Sequence, residues 1–180
     1  MKNTQNYTWL IDPVHSRMKF VASYLMISNV SGWFRNFEGV VISQGDDFSG
    51  AVCNIKLYTH SLFTGNKLRD NHLRSADFLD AENFPAIHFY SDNIQEKEGK
   101  LLVEGRLAIK NHTQRIDFIA AYSGIRKDEM GNEKAGFSME TTLNRDDFDV
   151  SWNQVFGNNL PLISKKITIL CEVQLIKIRG

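Results

Sequence analysis

Four residues of one short segment, Arg69, Asp70, His72 and Arg74, carry side chains that could act as an acid, a base and an anion clamp. Such a set supports general acid–base catalysis when its members face one substrate. Helical periodicity argues against this, because neighbours at i,i+1 and i,i+2 do not share a helix face. Asp70 and Arg74 stand at i,i+4 with the acid first, which predicts an ordinary solvent-exposed pair worth roughly 0.2–0.5 kcal/mol. A structural role is therefore favoured, and no catalytic residue is assigned.

Other residue types with metal or nucleophile chemistry are scattered along the chain. No two of the five histidines have the four-residue spacing of ligands on one helical turn. Cys53 and Cys171 lack metal-type spacing and are too few for a disulfide scaffold. The sequence has no glycine-rich phosphate loop and no nucleophile elbow. We therefore expect no metal and no other cofactor.

The segment 61–91, which contains the charged cluster, has the features of a short helix. Asn66 can cap a helix that begins at Lys67, and Pro85 forbids its continuation. One face of this helix would carry Leu68, His72, Ser75 and Leu79. The segment is therefore predicted to be a helical crossover between strands.

Most of the remaining chain alternates apolar and polar residues, which predicts strands with one buried face. Turn signals separate them, as at residues 44–47, 96–99 and 127–132, and indicate antiparallel hairpins. We expect eight or nine strands in a mainly all-β fold. So large a sheet forms a sandwich or closes into a barrel, and we favour a barrel of about eight strands because closure removes exposed edges. Its interior would hold packed side chains or one small ligand.

The segment 144–165 is long for a hairpin connection and unusually apolar. Folding across a barrel mouth would bury its apolar side chains. The segment is expected to be either a lid that gates an internal ligand or a plug that seals a solid barrel.

The length of the chain limits the number of domains, and its net charge limits the classes of binding partner. The 180 residues fit one domain, and 21 basic against 21 acidic side chains leave a formal net charge of zero. No global field therefore recruits nucleic acid or an anionic membrane. The first residues do not have the pattern of a secretory signal or a transmembrane segment, so a cytoplasmic location is expected, or a periplasmic one if the sequence is a processed form.

Five stretches together resemble the YceI-like lipid/polyisoprenoid-binding family. They are residues 7–12, 32–39, 69–75, 105–109 and 144–148, in the family's order and approximate spacing. The chain departs from the family pattern at Asn111 and Asp149, where glycine is usual, and it lacks the export signal that many similar bacterial proteins carry.

This resemblance implies an extended, lipocalin-like antiparallel barrel, with residues 1–180 as one domain, that binds a polyisoprenoid or similar amphiphile without an established reaction. Sequestration or transport would depend on burying the isoprenoid tail, so chain length should dominate affinity. The candidate lipid-binding residues are the inward-facing strand positions and three positions in the lid: Phe20, Ala22, Tyr24, Phe89, Leu107, Ile109, Phe118, Ala120, Tyr122, Phe137, Met139, Ile169, Cys171 and Val173, with Phe148, Trp152 and Phe156.

Two other functions stay open. The first is a protein-interaction, scaffold or stress-related barrel without a lipid ligand, which could form a homodimer through an edge or the mouth. The second is an enzyme on an amphiphilic substrate that uses His72 and Asp70.

Overall fold

The structure is a computed structural model that describes residues 5–156 and 160–178. Within those ranges it contains one α-helix, α1 (Lys67–Arg74), and two 3-10 turns, Thr59–Ser61 and Arg145–Phe148. The strands are β1 (Asn6–Ile11), β2 (Arg17–Tyr24), β3 (Ser28–Phe34), β4 (Phe37–Gln44), β5 (Asp47–Tyr58), β6 (Leu62–Phe63), β7 (Ala86–Lys97), β8 (Lys100–Ile109), β9 (His112–Lys127), β10 (Glu133–Asn144), β11 (Val155–Phe156), β12 (Leu160–Pro161) and β13 (Ile163–Lys177).

Eight strands close into an antiparallel barrel in the order β1-β4-β5-β7-β8-β9-β10-β13, with β13 paired back to β1. Four of these pairings, β4-β5, β7-β8, β8-β9 and β9-β10, join consecutive strands as hairpins, as the short turn signals predict. The predicted barrel of about eight strands is therefore confirmed. Among the described residues, no helix is long and apolar enough to cross a membrane.

Two strands, β1 and β2, pair with different parts of the same edge of the last strand, β13. Its final residues pair with β1, with Leu175 opposite Ile11, whereas its earlier part pairs with β2, with Ile169 opposite Phe20. The sheet then continues from β2 to β3 and β6. The barrel wall is thus closed by β1 at one end and extended by the β2-β3-β6 sheet at the other.

The end closed by β1 is filled with aromatic rings. Trp9 is fully buried and packs 5.2 Å from Phe48, whose ring lies 4.9 Å from Phe137 and 5.4 Å from Tyr122. The Trp9 indole N–H donates to Ser43 Oγ at 2.9 Å, so its polar atom is satisfied in the core. Aromatic side chains therefore pack against one another in this half of the barrel.

A buried carboxylate, Asp12, joins the end of β1 to β13. Its side chain accepts hydrogen bonds from the Val14 backbone N–H at 3.0 Å and the Gln174 amide at 3.0 Å, and it lies 2.8 Å from His15 Nδ1. Burial alone would raise the pKa of Asp12, but the bonds with His15, Val14 and Gln174 outweigh burial and hold this pKa below its ordinary value of 3.8. The ionised form therefore stabilises the closure.

The helix α1 begins where the sequence predicts. Asn66 is its N-cap, and the Asn66 side chain accepts a hydrogen bond from the Arg69 backbone N–H at 3.0 Å. The helix ends at Arg74, so the predicted face does not extend as helix to Leu79.

The predicted solvent-exposed Asp70–Arg74 pair is wrong. Asp70 is buried, and its carboxylate accepts hydrogen bonds from the backbone N–H (2.9 Å) and the hydroxyl of Thr64. Arg74 donates to the Leu62 carbonyl instead. Both side chains are held by the chain that precedes the helix, a tertiary contact that helical spacing does not report.

Candidate functional site

A cavity of about 460 Å³ lies in the half of the barrel opposite the packed aromatic rings. One wall is the inner face of β2 and β3, which contributes Phe20, Ala22 and Val30. Helix α1 faces this wall, and β13 adds Ile167 and Ile169. The cavity exists at this end because the β2-β3-β6 sheet continues the barrel wall there.

The wall formed by α1 carries a histidine between aromatic rings. The His72 ring lies 5.0 Å from the ring of Phe78 and 4.6 Å from that of Trp152, edge-on to both. Its Nε2 is 2.7 Å from a carboxylate oxygen of Asp77. The partner of His72 is therefore Asp77, and the predicted alternative of His72 acting with Asp70 does not match the observed contacts.

The described residues of the segment 144–165 form another wall of the cavity. Its 3-10 turn is followed by Asp149, whose backbone is left-handed at φ 53°. Asp149 is one of the two positions where the resemblance expects glycine. Phe148 and Val150 are buried and Trp152 is half-buried, and all three line the cavity. The segment covers the cavity without filling it.

Arg145 holds this covering segment in place. Its guanidinium donates to the carbonyls of Ser164 at 3.0 Å and Trp152 at 2.9 Å, and to that of Val150. Burial lowers the pKa of Arg145, and the nearby charge of Asp146 opposes this shift. One buried cation thus joins the carbonyls of residues 150 and 152 to that of residue 164.

The cavity lining is almost wholly apolar. Within the described part of the chain, its polar side chains are Ser23, Tyr24, Arg69, His72 and Arg145, and no acidic side chain lines it. Among the described residues, no group of three or more His, Cys, Asp or Glu side chains could hold a metal ion. The arrangement can enclose an apolar tail beside neutral or cationic protein groups.

The structure divides the predicted lipid-binding residues between the two halves of the barrel. Seven line the cavity: Phe20, Ala22, Tyr24, Ile109, Phe148, Trp152 and Ile169. Nine belong to the packed core or lie against it, away from this cavity: Phe89, Leu107, Phe118, Ala120, Tyr122, Phe137, Met139, Cys171 and Val173. The side chain of Phe156 lies outside the described residues.

Burial also disfavours ionisation of both thiols. It raises the pKa of Cys53 and of Cys171 to about 12. Both therefore stay protonated near neutral pH.

Several lining residues are absent from the predicted set: Val30, Phe34, Leu62, Ile87, Leu143, Leu162, Ile163 and Ile167. The alternation of Val30, Gly32 and Phe34 in β3 could have indicated this inward face from the sequence. Leu62 and Leu162 have no such signal, because β6 has only two residues and Leu162 lies between two strands, so the position of both depends on the tertiary fold.

Comparisons with known proteins bear on this barrel. The family model described as the YceI-like domain matches residues 9–175. A UPF0312 protein of Staphylococcus aureus (strain MSSA476) is 31% identical over 163 residues, which cover 90% of this chain and 92% of that protein.

Solved structures resemble the whole barrel. BcnA of Burkholderia cenocepacia superposes with a TM-score of 0.77 at 18% identity, covering 91% of this chain and 98% of BcnA. The YCEI protein of Campylobacter jejuni gives 0.73 at 27% identity, covering 87% and 90%. A polyisoprenoid binding domain from Saccharophagus degradans gives 0.70 at 11% identity, covering 94% and 98%.

Proposed function

Because this chain belongs to the YceI-like family, we propose that it sequesters or transports a polyisoprenoid or similar amphiphilic lipid whose tail occupies the cavity. The observation that carries this proposal is a partly open cavity of about 460 Å³ whose lining is almost wholly apolar. That volume is in the range of ligand pockets, about 300–1,000 Å³. The polyisoprenoid-binding domain of Saccharophagus degradans, which shares the fold, adds support.

Tail burial supplies free energy of the same order as the cost of association. At about 0.8 kcal/mol for each buried methylene, a tail of about fifteen carbons gains on the order of 12 kcal/mol. Association costs about 4–15 kcal/mol, so short tails should bind weakly. Polar side chains at the cavity edge, His72 among them, would then orient the head group without adding much affinity.

A binding role without catalysis is part of the proposal. The second candidate, an enzyme on an amphiphilic substrate, is favoured only by the His72–Asp77 pair on the cavity wall. It requires a turnover, for example of a long-chain ester, that His72→Ala abolishes and that Met139→Ala, a change in the packed half, retains. A ligand-free interaction barrel would instead be favoured by a cavity too small for a lipid, and the observed volume argues against it.

Organic extraction of gently purified protein, followed by mass spectrometry, tests the proposal. We expect a stoichiometric amphiphile, or stoichiometric uptake of farnesol added to delipidated protein. Repeated absence of both would contradict the proposal. A variant with a filled cavity, Ala22→Phe, serves as the control, because it should carry much less of the same molecule.

A further inference from the structure

The turn between β2 and β3 exposes a continuous apolar patch. Tyr24, Leu25, Met26 and Ile27 are all exposed, Met26 to 77% and Ile27 to 86%. We call residues 24–27 the hairpin tip. Single exposed apolar residues are common on protein surfaces, but contiguous exposed patches indicate contact with a partner.

The backbone of the tip gives no reason for this composition. The Ile27 N–H donates to the Tyr24 carbonyl at 3.1 Å, and Leu25 and Met26 between them both have positive φ, 51° and 57°. Tight hairpin turns with two such residues favour asparagine and glycine. Leucine and methionine are therefore unfavourable here for two reasons: the backbone has positive φ, and their apolar side chains are exposed to water.

The hairpin tip lies beside the entrance of the cavity. Of the described side chains that line the cavity, only Tyr24 and Leu68 are exposed, and Leu68 is exposed to 83%. These two residues therefore mark where the cavity opens. Tyr24 also pairs with Ile163, another lining residue, so the tip continues the cavity wall outwards.

The charges around the tip suit an anionic surface. Residues 20–34 include no charged side chain. Lys165 and Lys166 are exposed on β13 between the residues that pair with Tyr24 and Ala22, and Lys67 is exposed beside Leu68. Asp146 pairs with Lys165 at 2.8 Å, whereas neither Lys166 nor Lys67 takes part in an ion pair among the described residues. Apolar side chains flanked by lysines are typical of segments that rest in a bilayer interface.

We propose that the hairpin tip inserts into the head-group region of a bilayer that contains anionic lipid and so places the cavity entrance at the membrane. This inference rests on the proposed function, because the membrane is the source or the destination of the bound amphiphile. The bilayer is a better fit than a folded protein partner, since the patch is a narrow protruding turn with basic flanks.

The test compares two polar substitutions of the tip with a matched change at the other end of the barrel. The tip variant is Met26→Asn with Ile27→Asn, and asparagine is well suited to the positive φ of residue 26. The control is Met130→Asn, because Met130 is exposed to 82% in the turn after β9, next to the end closed by β1. Co-sedimentation with vesicles of phosphatidylcholine and phosphatidylglycerol measures docking, and farnesol binding without vesicles measures the cavity.

We expect the tip variant to lose at least about tenfold in vesicle partitioning, while its farnesol affinity stays within about twofold. Met130→Asn should partition like the wild type. Lys166→Gln should weaken partitioning about fivefold on anionic vesicles and leave partitioning on pure phosphatidylcholine unchanged.

Three results would overturn the inference: a wild-type protein that ignores vesicles, a tip variant that binds them equally well, or a tip that mediates only self-association in sedimentation velocity. Vesicle binding without farnesol binding would retain the docking inference and contradict the proposed function. Farnesol binding without vesicle binding would do the reverse.

Discussion

Replacing Ala22 by phenylalanine should shorten the longest tail that the cavity can hold. Ala22 lies within β2, lines the cavity and pairs with Val30 and Ile167, which also line it. A phenyl ring at this position has no room in the sheet and must extend into the empty space. We therefore expect the maximum tail length to fall, rather than the affinity for tails of every length to fall equally.

The size of the effect follows from the cavity volume. A space of about 460 Å³ holds about fifteen methylene-sized groups if each takes about 30 Å³, the volume of a water molecule in the liquid. The six added ring carbons would displace about six of them. At about 0.8 kcal/mol each, a tail that fills the wild-type cavity loses up to about 5 kcal/mol, so we expect a loss of at least about a hundredfold in affinity.

The assay is displacement of a fluorescent fatty acid by geraniol, farnesol and geranylgeraniol, which share a head group and differ by one prenyl unit. Wild-type affinity should rise steeply from geraniol to farnesol and little further. Ala22→Phe should bind geraniol nearly normally and lose the gain at farnesol. Ala121→Phe, the same change at an exposed position of β9, is the control and should match the wild type. The reasoning is refuted if wild-type affinity does not rise with tail length, or if both variants bind farnesol equally.

Three further predictions concern packing and charge. Gly32→Ala places a methyl group 2.3 Å from the tip of the Phe20 ring, so this ring must turn into the cavity. Calorimetric titration should therefore show weaker farnesol binding, and the free energy of unfolding should fall by about 1–3 kcal/mol. Ser43→Ala leaves the buried Trp9 indole N–H without its acceptor and should lower the free energy of unfolding in urea by about 1–3 kcal/mol; an unchanged midpoint would contradict this. Because folding lowers the pKa of Asp12, its contribution to stability is complete above the unfolded pKa of about 3.9 and is lost as the pH falls through the folded value. Asp12→Asn should therefore destabilise the protein near neutral pH and much less in strong acid, as melting temperatures across pH would show.

The barrel and the start of α1 were predictable because their causes are local. Alternation assigns each strand residue to a face, and an asparagine before a helical pattern supplies a cap. The inward face of β10 shows where this reasoning stops. Phe137 packs against Phe48 and Leu143 lines the cavity, yet both are large apolar residues at equivalent positions of one alternating strand.

The sequence by itself determined a closed antiparallel barrel with an apolar interior and placed the chain near a lipid-binding family, because the alternation and motifs that carry these conclusions are short-range. Only the tertiary structure decided which half of that interior is empty. The space depends on β13 pairing with β1 at one end and with β2 at the other, and on Arg145 holding residues 150–152 across it. Cavities are set by contacts between residues far apart in the chain, and no local pattern records where such contacts leave a gap.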